Sequence, residues 1–279
     1  MRSPHLLLAG AMLLAVTAVA ATNAEKARAT AEAMKGGGGP RATATTGAKV
    51  VPSVPARAGA ADDFRPTPAD APLTAGGLTR ITCLYRGTDP YHYQLWLPAD
   101  HASDPTLARP TIFIAAPGGK ATMGEMADWI RRHGYIAVML EESRNGDWEP
   151  SVGNFIAAHD DVVKRVRVAE GKKVATGMSG GARACSVFVG LRPGFGGLLL
   201  QGAGYAPVGP NGASPVAGIK VAALAATFGE KDSNYVEGPR MKRLFGDRME
   251  LFEFRGGHQW APKETVEEAL DSIDGRLPK

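Results

Sequence analysis

The sequence predicts an α/β fold, a mostly parallel central sheet covered by helices on both faces, with no sizeable cap domain. Two observations carry this. Short strand-like runs alternate with helical patterns from about residue 80 to the C-terminus, the order that builds parallel sheets. Several of those runs, such as Thr-Ile-Phe-Ile-Ala-Ala at 111–116, are apolar throughout rather than alternating, as in strands buried on both faces. The stretch 78–279 holds one such domain and little more, so any site at the sheet's edge should be rather open.

The elements follow in order. Arg80–Tyr85 and Tyr91–Leu97 read as strands of a hairpin around Gly87-Thr88-Asp89-Pro90. Thr111–Ala116 is a buried strand, Met123–His133 a helix ended by Gly134, and Tyr135–Leu140 another buried strand. Asn154–Glu170 reads as a helix closed by Gly171, Lys173–Gly177 as a short strand, and Gly180–Gly190 as a helix. Gly197–Gln201, Val221–Phe228 and Met249–Arg255 complete the strands; Val236–Phe245 and Glu264–Ile273 complete the helices.

The N-terminal region differs in kind. A weakly basic start precedes an apolar run from Leu6 to Ala20, ending in the small-x-small pattern Ala18-Val19-Ala20. This reads as a secretory signal peptide over residues 1–20, too short for a comfortable membrane span, and predicts export to the periplasm or medium. Residues 21–77 are rich in Ala, Gly, Thr and Pro and poor in large apolar side chains, so they read as a flexible linker. Residues 78–279 read as the folded domain. Of the 32 basic and 28 acidic residues, eight and five lie in 1–75. The excess positive charge therefore sits largely in the tail, and no basic stripe on the domain argues for nucleic acid. Cys83 and Cys185 are expected on an early strand and a helix, as small buried hydrophobes rather than a disulfide, and neither has metal-ligand spacing.

Gly177-Met178-Ser179-Gly180-Gly181 fits G-x-S-x-G and sits between a β-type run and an Ala-rich helix, the strand–turn–helix setting the motif requires. Such a turn strains the backbone of the Ser, and flanking glycines let neighbouring segments pass close. The Ser179 hydroxyl would stand exposed, with the helix N-terminus aimed at a developing oxyanion. No P-loop Lys follows and no G-x-G-x-x-G is present at this site.

A Ser hydroxyl needs a base to take its proton. His258, in Gly257-His258-Gln259-Trp260 just past the last predicted strand, is the only His after Ser179. The acid should close the preceding strand, where Gly229-Glu230-Lys231-Asp232 stands. Asp232 is the expected partner of His258, with Glu230 as competitor. A tetrahedral intermediate needs two preorganised donors. One is the N–H of Gly180; the other should come from Pro117-Gly118-Gly119-Lys120, with Gly119 preferred over Gly118 or Lys120.

These residues together resemble the α/β-hydrolase superfamily over about 80–273. The stretch Gly257-His258-Gln259-Trp260-Ala261-Pro262 followed by a helix looks like small exported esterases of the dienelactone-hydrolase-like, feruloyl-esterase-like and polyhydroxyalkanoate-depolymerase-like kinds. The resemblance implies an α/β-hydrolase fold and a catalytic triad of Ser179, Asp232 and His258, with no metal or organic cofactor. One departure stands out: many members have His before the first glycine of the oxyanion loop, and here it is Pro117.

The pocket should be lined by loops 141–153 and 203–218, with Trp148, Tyr205 and Trp260 as candidate substrate contacts and Glu141 and Glu142 as candidate polar contacts. Without a cap, little apolar surface is available for a long acyl chain. The expected activity is hydrolysis of short-chain, aromatic or saccharide-linked carboxylic esters through an acyl-enzyme. The alternative is a non-catalytic binding or envelope-associated protein on the same fold.

Overall fold

The computed structural model describes residues 72–279, so the expected signal peptide and nearly all of the expected linker lie outside the described residues. Eight strands form one sheet in the order β1-β2-β4-β3-β5-β6-β7-β8. They are β1 (Leu78–Tyr85), β2 (Asp89–Trp96), β3 (Arg109–Ala115), β4 (Ile136–Leu140), β5 (Val168–Met178), β6 (Phe195–Gln201), β7 (Ala223–Gly229) and β8 (Met249–Phe254). Only β2 runs against its neighbours; all pairings from β4 to β8 are parallel. The principal helices are α1 (Ala127–Arg132), α2 (Trp148–Arg165), α3 (Gly180–Leu191), α4 (Glu237–Phe245) and α5 (Lys263–Asp274).

The apolar runs of the sequence bury both faces of the central strands with a period of two. Phe113, Val138, Ala175, Leu200 and Ala226 point to the core under α2, α3 and α4. Ile112, Met139, Val174, Leu199 and Ala225 point to the core under α1 and α5. The connection from β3 to β4 therefore crosses one face and that from β4 to β5 the other. The point where the order reverses, between the carboxyl ends of β3 and β5, is where ligands bind in open α/β sheets.

Local differences from the sequence reading have physical causes. Helix α2 begins at Trp148, not Asn154. Pro150 falls in its first turn, where no N–H partner is required, and at Gly153 an added Cβ would stand 2.5 Å from the Tyr91 hydroxyl, which packs against that glycine. The helix ends at Arg165, before the β-branched Val166 and Val168. Gly171 lies inside β5, at φ 70°, where the strand bulges between the Val168 and Lys173 pairings to β3. The expected helix 123–133 opens as a 3-10 turn at Gly124–Met126 before α1. Contacts to the domain also reach back before Leu78: Ala75 bridges Leu97, and Leu73 packs against the core. Cys83 on β1 and Cys185 on α3 are buried free thiols; burial pushes the Cys83 thiol up to about 12.

At the amino ends of the strands, far from the carboxyl edge, lies a buried polar cluster. Lys173 Nζ donates to His159 Nε2 at 2.8 Å, His159 Nδ1 donates to Asp160 at 3.0 Å, and Arg192 grips both Asp160 oxygens at 2.7 and 2.6 Å. The His159 ring stacks on Phe113, and the Lys173 ammonium lies over the Phe195 ring. Burial lowers His159 to about 4 and Lys173 to about 8, so a neutral imidazole accepts from an ammonium at neutral pH.

Candidate active site

Ser179 stands between β5 and α3 with φ 54° and ψ −118°, a backbone conformation rare for a residue with a side chain. Its neighbours hold it there. The Ser179 N–H donates to Gln201 O at 2.8 Å, and its carbonyl accepts from Arg183 N at 3.1 Å. The two outer glycines of the motif are steric requirements. A Cβ at Gly177 would lie 2.5 Å from the Gly181 carbonyl carbon, and one at Gly181 would collide with Ala115 O on β3. The turn is thus packed directly against the strand that carries the oxyanion loop.

His258 follows β8. Its Nε2 is 2.8 Å from Ser179 Oγ, and its Nδ1 is 3.0 Å from each oxygen of Asp232. The carboxylate can only accept, so Nδ1 carries the proton, Nε2 is bare, and the Ser179 hydroxyl donates to it. The Asp232 side chain is 0% exposed and the His258 side chain 37%, the grading expected of an orienting acid behind a solvent-facing base. Asp232 is further fixed by the Asn234 N–H, which donates to Oδ1 at 2.8 Å. Glu230 is exposed and its carboxylate does not reach His258. Its backbone has a different use. The Glu230 and Lys231 N–H groups donate to Phe254 O and Gly256 O at 2.9 Å each, zipping the acid loop to the histidine loop. Gly229 makes this possible, because a Cβ there would stand 2.6 Å from Gly256 O.

The oxyanion loop shows a more selective picture than the sequence does. The Gly119 N–H, the preferred second donor, is engaged with Ala116 O at 3.1 Å, and the Lys120 N–H with Glu141 O at 2.9 Å. Both residues take positive φ, and a Cβ at Gly119 would lie 2.5 Å from Glu141 O. Gly118 is exposed, and its N–H makes no hydrogen bond to any described residue. The Gly180 N–H, at the first turn of α3, is likewise without a partner among the described residues. Gly118 and Gly180 therefore present the two open amides.

The expected substrate contacts separate. Trp260 borders a cavity of about 160 Å³ together with Met123, Met126, Val266 and Gln201, between the chain following the oxyanion loop and the chain following His258. Trp148 is the first residue of α2, and Tyr205 meets Phe245 edge to face at 6.3 Å. Both pack against the core on the opposite face of the sheet and do not border this cavity. Glu141 is held by Arg80 through both oxygens, with contacts of 2.8 to 3.1 Å, and the Arg80 hydrogen bonds keep its carboxyl below the usual range. Glu142 accepts from the His92 ring and from the His92 N–H, at 2.7 and 2.9 Å. His92, Glu141 and Glu142 form the one described cluster with metal-ligand chemistry, but Arg80 already neutralises half of it.

The sequence reading missed the residues behind this loop. Ser151 and Asn154, both buried on α2, hold the backbone after β4: Asn154 Oδ1 accepts from the Glu142 and Ser143 N–H groups at 3.1 Å each. Ser151 Oγ accepts from Arg144 N and donates to Arg144 O. Starting the helix at Asn154 left Ser151 outside it and hid their shared face; the signal available was a Ser and an Asn three residues apart, one helical turn, after an Asp that can begin a helix.

No family model matches the chain, and no curated protein matches it in sequence. Solved structures do match in fold. The Staphylococcus aureus fluorophosphonate-binding serine hydrolase FphF aligns at 11% identity over 71% of this chain and 98% of its own, with a TM-score of 0.55. A ferulic acid esterase aligns at 14% identity over 70% and 95%, with a TM-score of 0.53. The thermophilic esterase Est2 of Thermogutta terrifontis aligns at 18% identity over 71% and 96%, with a TM-score of 0.51. The chain has the α/β-hydrolase fold.

Proposed function

We propose that this protein is a serine hydrolase that cleaves carboxylic esters through an acyl-enzyme. The observation that carries the reading is the unbroken relay from Ser179 Oγ through His258 to the buried Asp232 carboxylate. Ser179 Oγ attacks the ester carbonyl carbon as its proton passes to His258 Nε2. The carbonyl π pair moves onto oxygen, where the Gly180 and Gly118 N–H groups receive it. Collapse breaks the bond to the alcohol, which leaves with the proton from His258. Water then repeats the sequence on the acyl-enzyme, releasing the acid and restoring Ser179. Asp232 holds the imidazole in the tautomer this requires and stabilises the imidazolium without itself taking the proton.

The cavity beside Trp260 supports a narrower reading of the substrate. At about 160 Å³ it is close in volume to engineered apolar cavities of roughly 150 Å³ that hold a benzene molecule. It suits a short acyl group or a single aromatic ring, and esters of saccharides with such acids fit the open surroundings. The apolar run at Leu6–Ala20 supports export to the periplasm or medium as the place of action. Reaction with a fluorophosphonate probe tests the central reading: the wild type should label and Ser179→Ala should not. A folded wild type that does not label would favour a binding protein on the same scaffold instead.

A further inference from the structure

The structure places a polar side chain, Asn145, against the residue that follows the nucleophile. Asn145 follows β4 on the loop clamped by Ser151 and Asn154. Its N–H donates to Pro117 O at 2.9 Å, and the adjacent Arg144 bridges Gly118, so this loop and the oxyanion loop form one short antiparallel contact. The Asn145 amide lies directly on Gly180, the residue whose N–H faces the oxyanion. A Cβ at position 180 would collide with Asn145 Oδ1 and stand 3.4 Å from Nδ2. That contact gives a reason for glycine at a position with ordinary helical backbone. The amide makes no hydrogen bond to any described residue, although the Asn145 N–H is held by Pro117 O and the preceding Arg144 backbone by Ser151.

We propose that Asn145 is a catalytic residue whose side-chain amide donates to the oxyanion alongside the Gly118 and Gly180 amides. The proposal rests on the hydrolase reading above. Two points argue for it. The Gly119 and Lys120 amides are engaged within the loop, so the backbone offers fewer donors than the sequence suggested. An unpartnered amide turns about its last bond at little cost, presenting either Oδ1 or Nδ2, and negative charge on the substrate oxygen selects the NH₂ end. The donation would strengthen as charge develops, which raises turnover rather than substrate binding. The clamp of Ser151 and Asn154 holds the backbone leading into Asn145 before substrate arrives, so only the terminal amide has to turn.

The test compares wild type, Asn145→Ala and Asn145→Asp on a short-chain p-nitrophenyl ester after fluorophosphonate labelling has shown the wild type to be active. The expected result is a fall in kcat of roughly 100- to 1,000-fold for Asn145→Ala, with KM within about threefold. Asn145→Asp should be worse, because a carboxylate repels the oxyanion. A boronic acid that mimics the tetrahedral adduct should bind Asn145→Ala more weakly by the same factor that kcat/KM falls, with an unchanged melting temperature. A labelled wild type whose Asn145→Ala variant keeps kcat within about threefold, or loses turnover without losing boronate affinity, overturns this assignment alone. A wild type that does not label overturns the hydrolase reading and this inference with it.

Discussion

Asp232 meets His258 with both carboxylate oxygens 3.0 Å from Nδ1, and the contact is sealed from solvent on the acid side. The symmetric approach leaves no other orientation in which the ring can keep Nε2 on Ser179. Asp232→Asn would allow the amide to donate to Nδ1 and turn the imidazole to the wrong tautomer. The expected loss in kcat at neutral pH is on the order of 10⁴. Glu230→Gln, two residues away and exposed, should stay within about twofold. Equal losses in both variants would put the acid in the wrong place.

The nucleophile turn should be intolerant of the smallest addition. Gly181→Ala places a methyl group against Ala115 O, a backbone atom that cannot rotate aside. We expect a loss of at least about 1–3 kcal/mol in unfolding free energy, measured by urea titration, together with loss of fluorophosphonate labelling. Gly212→Ala, at an exposed turn where a Cβ meets nothing, serves as comparison; its positive φ alone should cost about 1 kcal/mol.

Stability should fall in mild acid through His159. Burial lowers its folded pKa to about 4, below the unfolded value near 6.5, so the unfolded chain binds more protons between these values. Unfolding free energy therefore rises with pH across that window and is lost on acidification through it, by on the order of 3 kcal/mol. Asp160 acts in the same direction at lower pH, since Arg192 and His159 hold its carboxyl down against its own burial. Guanidinium titrations at pH 4 and pH 7 should show this difference, and His159→Gln should shrink it. Lys173, lowered to about 8, adds a further rise in stability between about 8 and the unfolded lysine value near 10.4.

Acyl-chain length should limit turnover. The cavity beside Trp260, at about 160 Å³, holds only a small group, and each methylene left in water forgoes about 0.8 kcal/mol. In a p-nitrophenyl ester series, kcat/KM should peak at acetyl to butyryl and fall towards palmitoyl. A steady rise to sixteen carbons would mean a groove elsewhere on the surface. Val266→Phe, which narrows the cavity, should lower the butyryl rate more than the acetyl rate.

Much of this arrangement was legible in the chain because the determinants are local. G-x-S-x-G announces a turn that only glycine flanks permit, and apolar runs without alternation announce strands covered on both sides. His258 stands alone after Ser179, so its place needed little more than chain order. The choice of Asp232 over Glu230 was less local, since both end the same strand; burial separates them, and burial belongs to the folded sheet. What could not be read was set by contacts distant in sequence. Gly119 looks like the best donor in a glycine pair until Ala116 O takes its N–H. Pro150 and Gly153 look like breakers until a first-turn position and the Tyr91 ring accommodate them. Asn145 sits in a polar loop of no evident pattern, and only its approach to Gly180 from across the sheet gives it meaning.

The zipper between the Glu230–Lys231 and Phe254–Gly256 backbones ties acid and base into one piece, while the nucleophile and its oxyanion loop belong to the chain before β7. The two groups meet across the β6–β7 ladder and through side-chain contacts such as Ser179 with His258 and Gln201 with Ala261, and the connection between them runs through the exposed turn at 210–214, whose hydrogen bonds are local. A single cut there divides the protein into two polypeptides, one carrying an unactivated serine and the other an acid–base pair with nothing to serve. Neither half can react alone, and reassembly of the sheet restores both at once. Hydrolysis by the mixed fragments thus becomes a direct reporter of their association.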